Sequence, residues 1–203
     1  MSTTRSRENT RARLLEAAAQ VFAEVGLEGA TVEAVCERAG FTRGAFYSNF
    51  ESKDALFLEL AASVGEARLQ AVRERVSALV GQNAIDDCDP ADLVQQIMDS
   101  GADDRMGVMM MSEIRIRALR DPSFAAAYLA QENEMMQSIV AIIQEIVDSG
   151  QIALRIDAEE AARLLMIVWE GMSVRSAMNG DDSHRLRRAG SEALGRMVEL
   201  IRA

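Results

Sequence analysis

The chain has 203 residues, 49% of them hydrophobic and 27% charged, with a formal net charge of −10; this is the composition of one or two globular domains with a core that needs no cross-links. Two scattered cysteines, Cys36 and Cys88, and one histidine, His184, exclude a disulfide framework and a multi-histidine metal site and argue against a Ser-His-Asp triad. No apolar run approaches the roughly 18 residues of a membrane span, and the opening MSTTRSRENT lacks the apolar core of a secretory signal, so the expectation is a cytoplasmic protein with no membrane partner.

Taken in chain order, the first feature is a basic arm: Arg5, Arg7, Arg11 and Arg13 face only Glu8 in the opening 13 residues. Such an arm can follow a phosphate backbone although the whole protein is acidic. Residues 1–80 carry 10 basic and 11 acidic side chains, net −1, and the remainder 12 and 21, net −9. The acidity therefore lies in the second part. Leu14, Leu15, Ala18, Val21, Phe22 and Val25 form one apolar stripe of helical period, ended by Gly26. Thr31 caps a short helix from Val32 to Ala39, and Gly40 stops it. Thr42 caps a second short helix reaching about Asn49. Ser52 begins a long helix with Leu56, Phe57, Leu60 and Val64 inward, followed by a loop over 81–89.

Further helices start at Pro90, near Asp103 and at Pro122, the last running to Ser149. Two more span Asp157 to Asn179 and Asp182 to Ile201, separated by the Gly180 turn. No segment alternates as a strand. The fold class is all-α with about nine helices. Six of the nine aromatic residues (Phe22, Phe41, Phe46, Tyr47, Phe50 and Phe57) cluster between positions 22 and 57, which marks a small, tightly packed N-terminal unit.

Within that unit the stretch TVEAVCERAGFTRGAFYSNF, residues 31–50, reads helix, glycine turn, capped helix: a helix-turn-helix. Gly40 supplies the left-handed backbone of the reversal, and Ala39 lets the helices approach. Phe41, Phe46 and Phe50 are expected to bury. That leaves Thr42, Arg43, Tyr47, Ser48 and Asn49 facing outward. Arg43 suits bidentate contact with guanine, while Gly44 and Ala45 keep the helix close to base edges. The hydroxyls of Thr31, Thr42 and Tyr47 suit phosphate oxygens, which fix register without reading sequence. Read as periodicity alone, the same stretch also fits a helical hairpin with no nucleic-acid role.

Together with its flanks, GLEGATVEAVCERAG, FTRGAFYSNF and ESKDALF, the stretch resembles the TetR-type transcriptional regulators over about Arg7 to Glu66. The resemblance implies a DNA-binding head over 7–66 and a ligand-binding and dimerisation body over 67–203. It also implies a homodimer whose last two helices form a four-helix bundle. Lys53, the only lysine of the chain, stands where the family places a phosphate-contacting lysine. Asn49 departs from the family's more usual histidine. The implied function is a ligand-responsive regulator, by expectation a repressor, released from a palindromic double-stranded operator by a small effector. Glu33 and Glu37 are then expected to point away from the duplex.

In the body, all methionines but the first lie beyond residue 97, and methionine adapts to irregular apolar surfaces. With the resemblance, this points to an apolar effector lined by Met109, Met110, Glu113, Phe124, Tyr128, Met135, Trp169 and Met172; ordinary core packing is the alternative for each. Leu165, Trp169, Ser176, Leu186, Ala193, Leu194, Met197 and Ile201 are the expected dimer interface, with small Gly171, Ser173, Gly190 and Gly195 allowing close contact. The alternative there is an intramolecular hairpin. No GxG, GxxxxGK or GxSxG occurs, so no catalytic residue, cofactor or metal is expected. Two rivals remain: a helical module that docks proteins without binding DNA, and an all-helical enzyme.

Overall fold

The computed structural model describes residues 2–85, 89–98 and 105–203, with the backbone alone at 2–6 and 91. Cys88 and the helix start expected near Asp103 lie outside the described residues. Among those described there are nine helices: α1 Ser2–Gly29, α2 Val32–Ala39, α3 Arg43–Tyr47, α4 Lys53–Gly81, α5 Pro90–Met98, α6 Arg105–Arg120, α7 Pro122–Asp148, α8 Ala158–Met178 and α9 Ser183–Ile201. An isolated antiparallel bridge joins Leu154 and Arg202, and no strand accompanies it among the described residues. None of the described helices is long and apolar enough to cross a membrane.

The chain forms two compact units, residues 1–64 with 109–128, and residues 65–108 with 129–203. The first therefore recruits most of α6 and the start of α7, a grouping that the sequence order does not suggest. Its core is Leu14, Ala18, Val21 and Phe22 of α1, Val35 and Ala39 of α2, Phe46 of α3, then Phe50, and Leu56 and Phe57 of α4, all buried. Phe22 and Phe57 meet edge to face at 6.0 Å, the geometry that aromatic quadrupoles favour.

α1 does not stop at Gly26. The chain kinks there, at φ 72° and ψ 178°, a conformation open to glycine, and makes one more turn, with Ala30 N–H bonded to Gly26 O at 3.0 Å. The kink takes Leu27 N–H out of the helical ladder, and the Glu113 carboxylate of α6 accepts it at 2.5 Å. Val25, expected on the apolar stripe, is instead 53% exposed. It lies one residue before the kink, beneath Gly29.

The second unit holds two apolar clusters. Ile143, Ala158, Ala161, Ala162 and Ile201 form one, with Met136, Ile139 and Leu165 packed against it. Ile85, Leu93 and Ile152 form the other. Beside the latter, buried Gln151 accepts from Ile85 N–H at 3.1 Å and donates to Val80 O at 3.0 Å. A buried amide satisfied on both sides fixes the chain after α4.

α9 packs against both α5 and α8, which bears on four residues of the expected interface. Leu186, Leu194, Ile201 and Ser176 are buried within the single chain, so they make the intramolecular seams and are not available to a second copy. Ser176 donates to Asp181 at 2.6 Å. Gly190, Gly195 and Ser173 are buried likewise, so their small size serves the α8–α9 approach. Leu165, Ala193 and Met197 are half-buried. Trp169 lies against Gly190, where an added Cβ would stand 2.4 Å from the indole, and Arg68 covers its ring at 4.6 Å. Gly190→Ala should overpack this seam and cost about 1–3 kcal/mol, read as a lowered thermal midpoint with the helical circular-dichroism signal retained.

Candidate nucleic-acid interface

The surface that the sequence singles out is built on two capped helices and a glycine turn. Thr31 Oγ1 accepts Ala34 N–H at 3.1 Å, and Thr42 Oγ1 accepts Ala45 N–H at 3.2 Å. Each hydroxyl keeps its own proton to donate outward. Gly40 closes α2 in the left-handed region, φ 72° and ψ 33°, with Phe41 N–H returning to Cys36 O at 2.9 Å. α3 has five residues, too few to persist in water unaided. Phe46 is fully buried beneath it and stacks at 5.7 Å on Phe50.

Arginines of the expected basic arm supply the rest. Arg11 donates to Asn49 O, pairs with Glu59 and lies 4.4 Å over the Phe50 ring. Arg13 donates to Ala39 O at 2.8 Å and lies 4.8 Å over Phe41, which is therefore half-buried under a guanidinium rather than in the core. Arg7 reaches Ser48 O at 3.1 Å. The arm thus ties down the carbonyl ends of α2 and α3, a role that its sequence does not announce. Arg38 forks onto Glu24 with bonds of 2.9 and 2.8 Å, holding that carboxyl below its ordinary range.

What remains on the outside is Thr42, Arg43, Gly44, Tyr47 and Ser48, all exposed, with Ala45 and Asn49 half-buried. A Cβ on Gly44 would meet nothing nearer than Thr42 Oγ1 at 3.7 Å. Nothing within the chain demands glycine there; what it leaves open is space outside. Ser48 spends its proton on Gly44 O at 2.8 Å. Asn49 turns its amide back to Ala45 O at 2.8 Å, leaving Oδ1 without a partner. Lys53 places Nζ 2.8 Å from Leu27 O and 3.5 Å from Glu28 O, closing the end of α1.

Glu33 does not turn away from this surface. Its carboxylate pairs with Arg43 Nη1 at 2.7 Å, a contact made across the hairpin of α2 and α3. Tyr47 sets its ring 5.9 Å from the guanidinium carbon; the Tyr47 side chain first, and the Glu33 charge second, hold the arginine's pKa above its usual value. Glu37 is exposed.

The expected effector-lining residues are divided between the units. Met110, Phe124 and Tyr128 are buried in the first, where Arg115 donates to the Tyr128 hydroxyl at 3.1 Å. Met109 is 46% exposed, and Glu113 is engaged by Leu27. In the second unit Met135 points its methyl at Gly65, Trp169 packs on Gly190, and Met172 is half-buried. A cleft of about 270 Å³ lies in the first unit, lined by Leu27, Glu28, Ser52, Lys53, Asp54 and Arg117. None of the expected lining residues borders it.

A helix-turn-helix with its polar face open, in an all-α chain, defines a DNA-binding regulator. Residues 14–60 match the bacterial regulatory proteins of the TetR family, and residues 91–199 match the C-terminal part of BetI-type transcriptional repressors. The chain belongs to the TetR family, and it is a transcriptional regulator rather than an enzyme. The transcriptional repressor AcnR of Corynebacterium glutamicum is 28% identical over 193 residues, 95% of this chain and 90% of that protein. Among solved structures, Salmonella enterica GusR is 26% identical, with a TM-score of 0.60 over 92% of this chain and 95% of that one. A TetR-family regulator from Mesorhizobium loti shares the fold at 17% identity, with a TM-score of 0.70 over 97% and 98% of the two chains.

Arg43→Ala should cost about 1–3 kcal/mol at one base pair and relax the choice there. Lys53→Ala should weaken binding evenly across sequences and lower the salt slope by about one. Fluorescence-anisotropy titrations of both variants, over a salt series on matched and random duplexes, separate the two effects.

Proposed function

We propose that the protein is a homodimeric repressor that sets two α3 helices in successive major grooves of a near-palindromic operator, about 34–36 Å apart. The observation that carries the DNA contact is the exposed face of Thr42, Arg43, Gly44 and Tyr47 on a helix held from behind by Phe46. Thr31, Ala45, Ser48, Asn49 and Lys53 flank it. The relationship to AcnR, a repressor by name, and the match of 91–199 to BetI-type repressors support the sign of regulation.

The dimer rests on a face other than the one periodicity suggests. With Leu186, Leu194 and Ile201 consumed inside the protomer, α8 still presents Ile167 at 61% exposure, Gly171 and Met178 at 82%, with half-buried Val174 among them. Spaced at four, three and four residues, they form one stripe along the helix. Leu200 of α9 adds a side chain 70% exposed. Outward apolar residues at this spacing are what a self-complementary two-fold contact requires.

The effector in this reading is a small apolar molecule, acyl-like in character, taken up among methionines of the body. Its binding shifts α4, whose residues belong to both units, and so changes operator affinity. A coupling of about 1–3 kcal/mol corresponds to roughly 5–150-fold.

Ile167→Glu should convert the dimer to a monomer in sedimentation equilibrium while the helical signal stays. Operator affinity should fall by about 10²–10⁴-fold as the second half-site contact is lost. A dimer that persists in this variant would move the interface elsewhere. Acyl compounds of graded chain length, added to the wild-type complex with a selected duplex, test the effector class by release of the DNA.

A further inference from the structure

Among the described side chains, Arg7, Arg11, Arg13 and Arg38 of the head are spent on carbonyls and carboxylates of the fold, and Arg43 stands on the open side of α3. It carries a carboxylate with it. Glu33 sits in the first turn of α2 and meets Arg43 Nη1 at 2.7 Å, with the two side chains 58% and 62% exposed. A pair this open adds little to stability, and neither side chain packs the core. Its position, at the start of the helix whose N-terminal residues meet base edges, is the feature that requires a reason.

We propose that Glu33 is a specificity-determining residue, which positions Arg43 for a base edge and keeps it from settling on phosphate. The inference rests on the DNA-binding reading above. A free guanidinium beside a duplex finds its nearest strong partner in the phosphate backbone, a contact that carries no sequence information. Paired with Glu33, Arg43 brings no net charge to the surface, so the phosphates gain little by capturing it. Pairing with Glu33 does not exhaust the five guanidinium donors. The remainder can reach the neutral acceptors of guanine, O6 and N7, without the ion pair being broken. The carboxylate also repels base edges and phosphates that offer only acceptors. Glu33 therefore lowers total affinity and raises the ratio between the right sequence and the wrong one.

The test begins with duplexes selected by the wild-type protein from a random-sequence pool, titrated beside random duplex over a salt series. Glu33→Gln should bind random duplex roughly three- to tenfold tighter, with a salt slope steeper by about one, because Arg43 becomes a free cation. Discrimination at the base pair read by Arg43 should fall by roughly fivefold or more. Glu37→Gln removes the same charge from the same helix and should leave discrimination unchanged. Glu33→Asp keeps the charge but withdraws it by one methylene; it should hold random affinity near wild type while losing discrimination. In an Arg43→Gln background, Glu33→Gln should no longer alter discrimination.

The proposal is overturned if Glu33→Gln keeps full discrimination, if its salt slope does not steepen, or if its effect survives without Arg43. A wild-type chain that selects no duplex at all overturns the DNA-binding reading itself, and this inference with it.

Discussion

A helix of five residues carries the outward side chains of this surface, and such a helix cannot hold itself. Isolated helices below about 12–15 residues are marginal in water, so α3 exists because other elements fix both of its ends. Phe46 anchors it from beneath, and losing such a buried ring typically costs about 3–5 kcal/mol. Thr42 caps its start, and Arg11 holds the carbonyl of Asn49 just past its end. The sharpness of any base contact made by Arg43 depends on this clamping, since a side chain can be no better positioned than the backbone that bears it.

The same economy governs the end of α1. A glycine kink at position 26 frees one N–H and turns a carbonyl pair outward; Glu113 takes the donor and Lys53 takes the acceptors. Arg117 of α6 adds a bond to Asp54 at 2.6 Å. α6 therefore belongs to the first unit by its hydrogen bonds as well as by its packing, although some 40 residues of chain separate it from the head. In a regulator of this family, that places part of the body's sequence in direct contact with the DNA-binding helices, through polar groups that cannot be left unpaired without cost.

Local signals proved legible where one residue type answers one local need. Thr31 and Thr42 cap the helices that the sequence assigns to them, Asp157 and Asp182, read as helix starts, cap theirs, and Gly40 takes the left-handed turn. The stripe through Leu14, Ala18, Val21 and Phe22 is buried as its period implies. Legibility failed where a residue's partner lies far along the chain. Arg11 and Arg13 read as part of a basic arm suited to a phosphate backbone and turn out to bind carbonyls 38 and 26 residues away. Glu33 reads as a charge to be kept off the duplex and pairs with the arginine expected to read it.

The apolar face of α9 shows the same limit in a different form. Periodicity states that Leu186, Leu194 and Ile201 must be covered, but a hydrophobic stripe does not name its cover, because burial is non-directional. Here the cover comes from α5, α7 and α8 of the same chain, and outward apolar residues of α8 and α9 include Ile167, Met178 and Leu200. The helical class, the capped helix starts, the glycine turn and the family were legible in the sequence, since caps, period and motif act over a few residues. Which apolar face is spent inside the protomer, where the arginines point and which segments share a unit were decided only by the tertiary structure, because those contacts join residues that no local spacing relates.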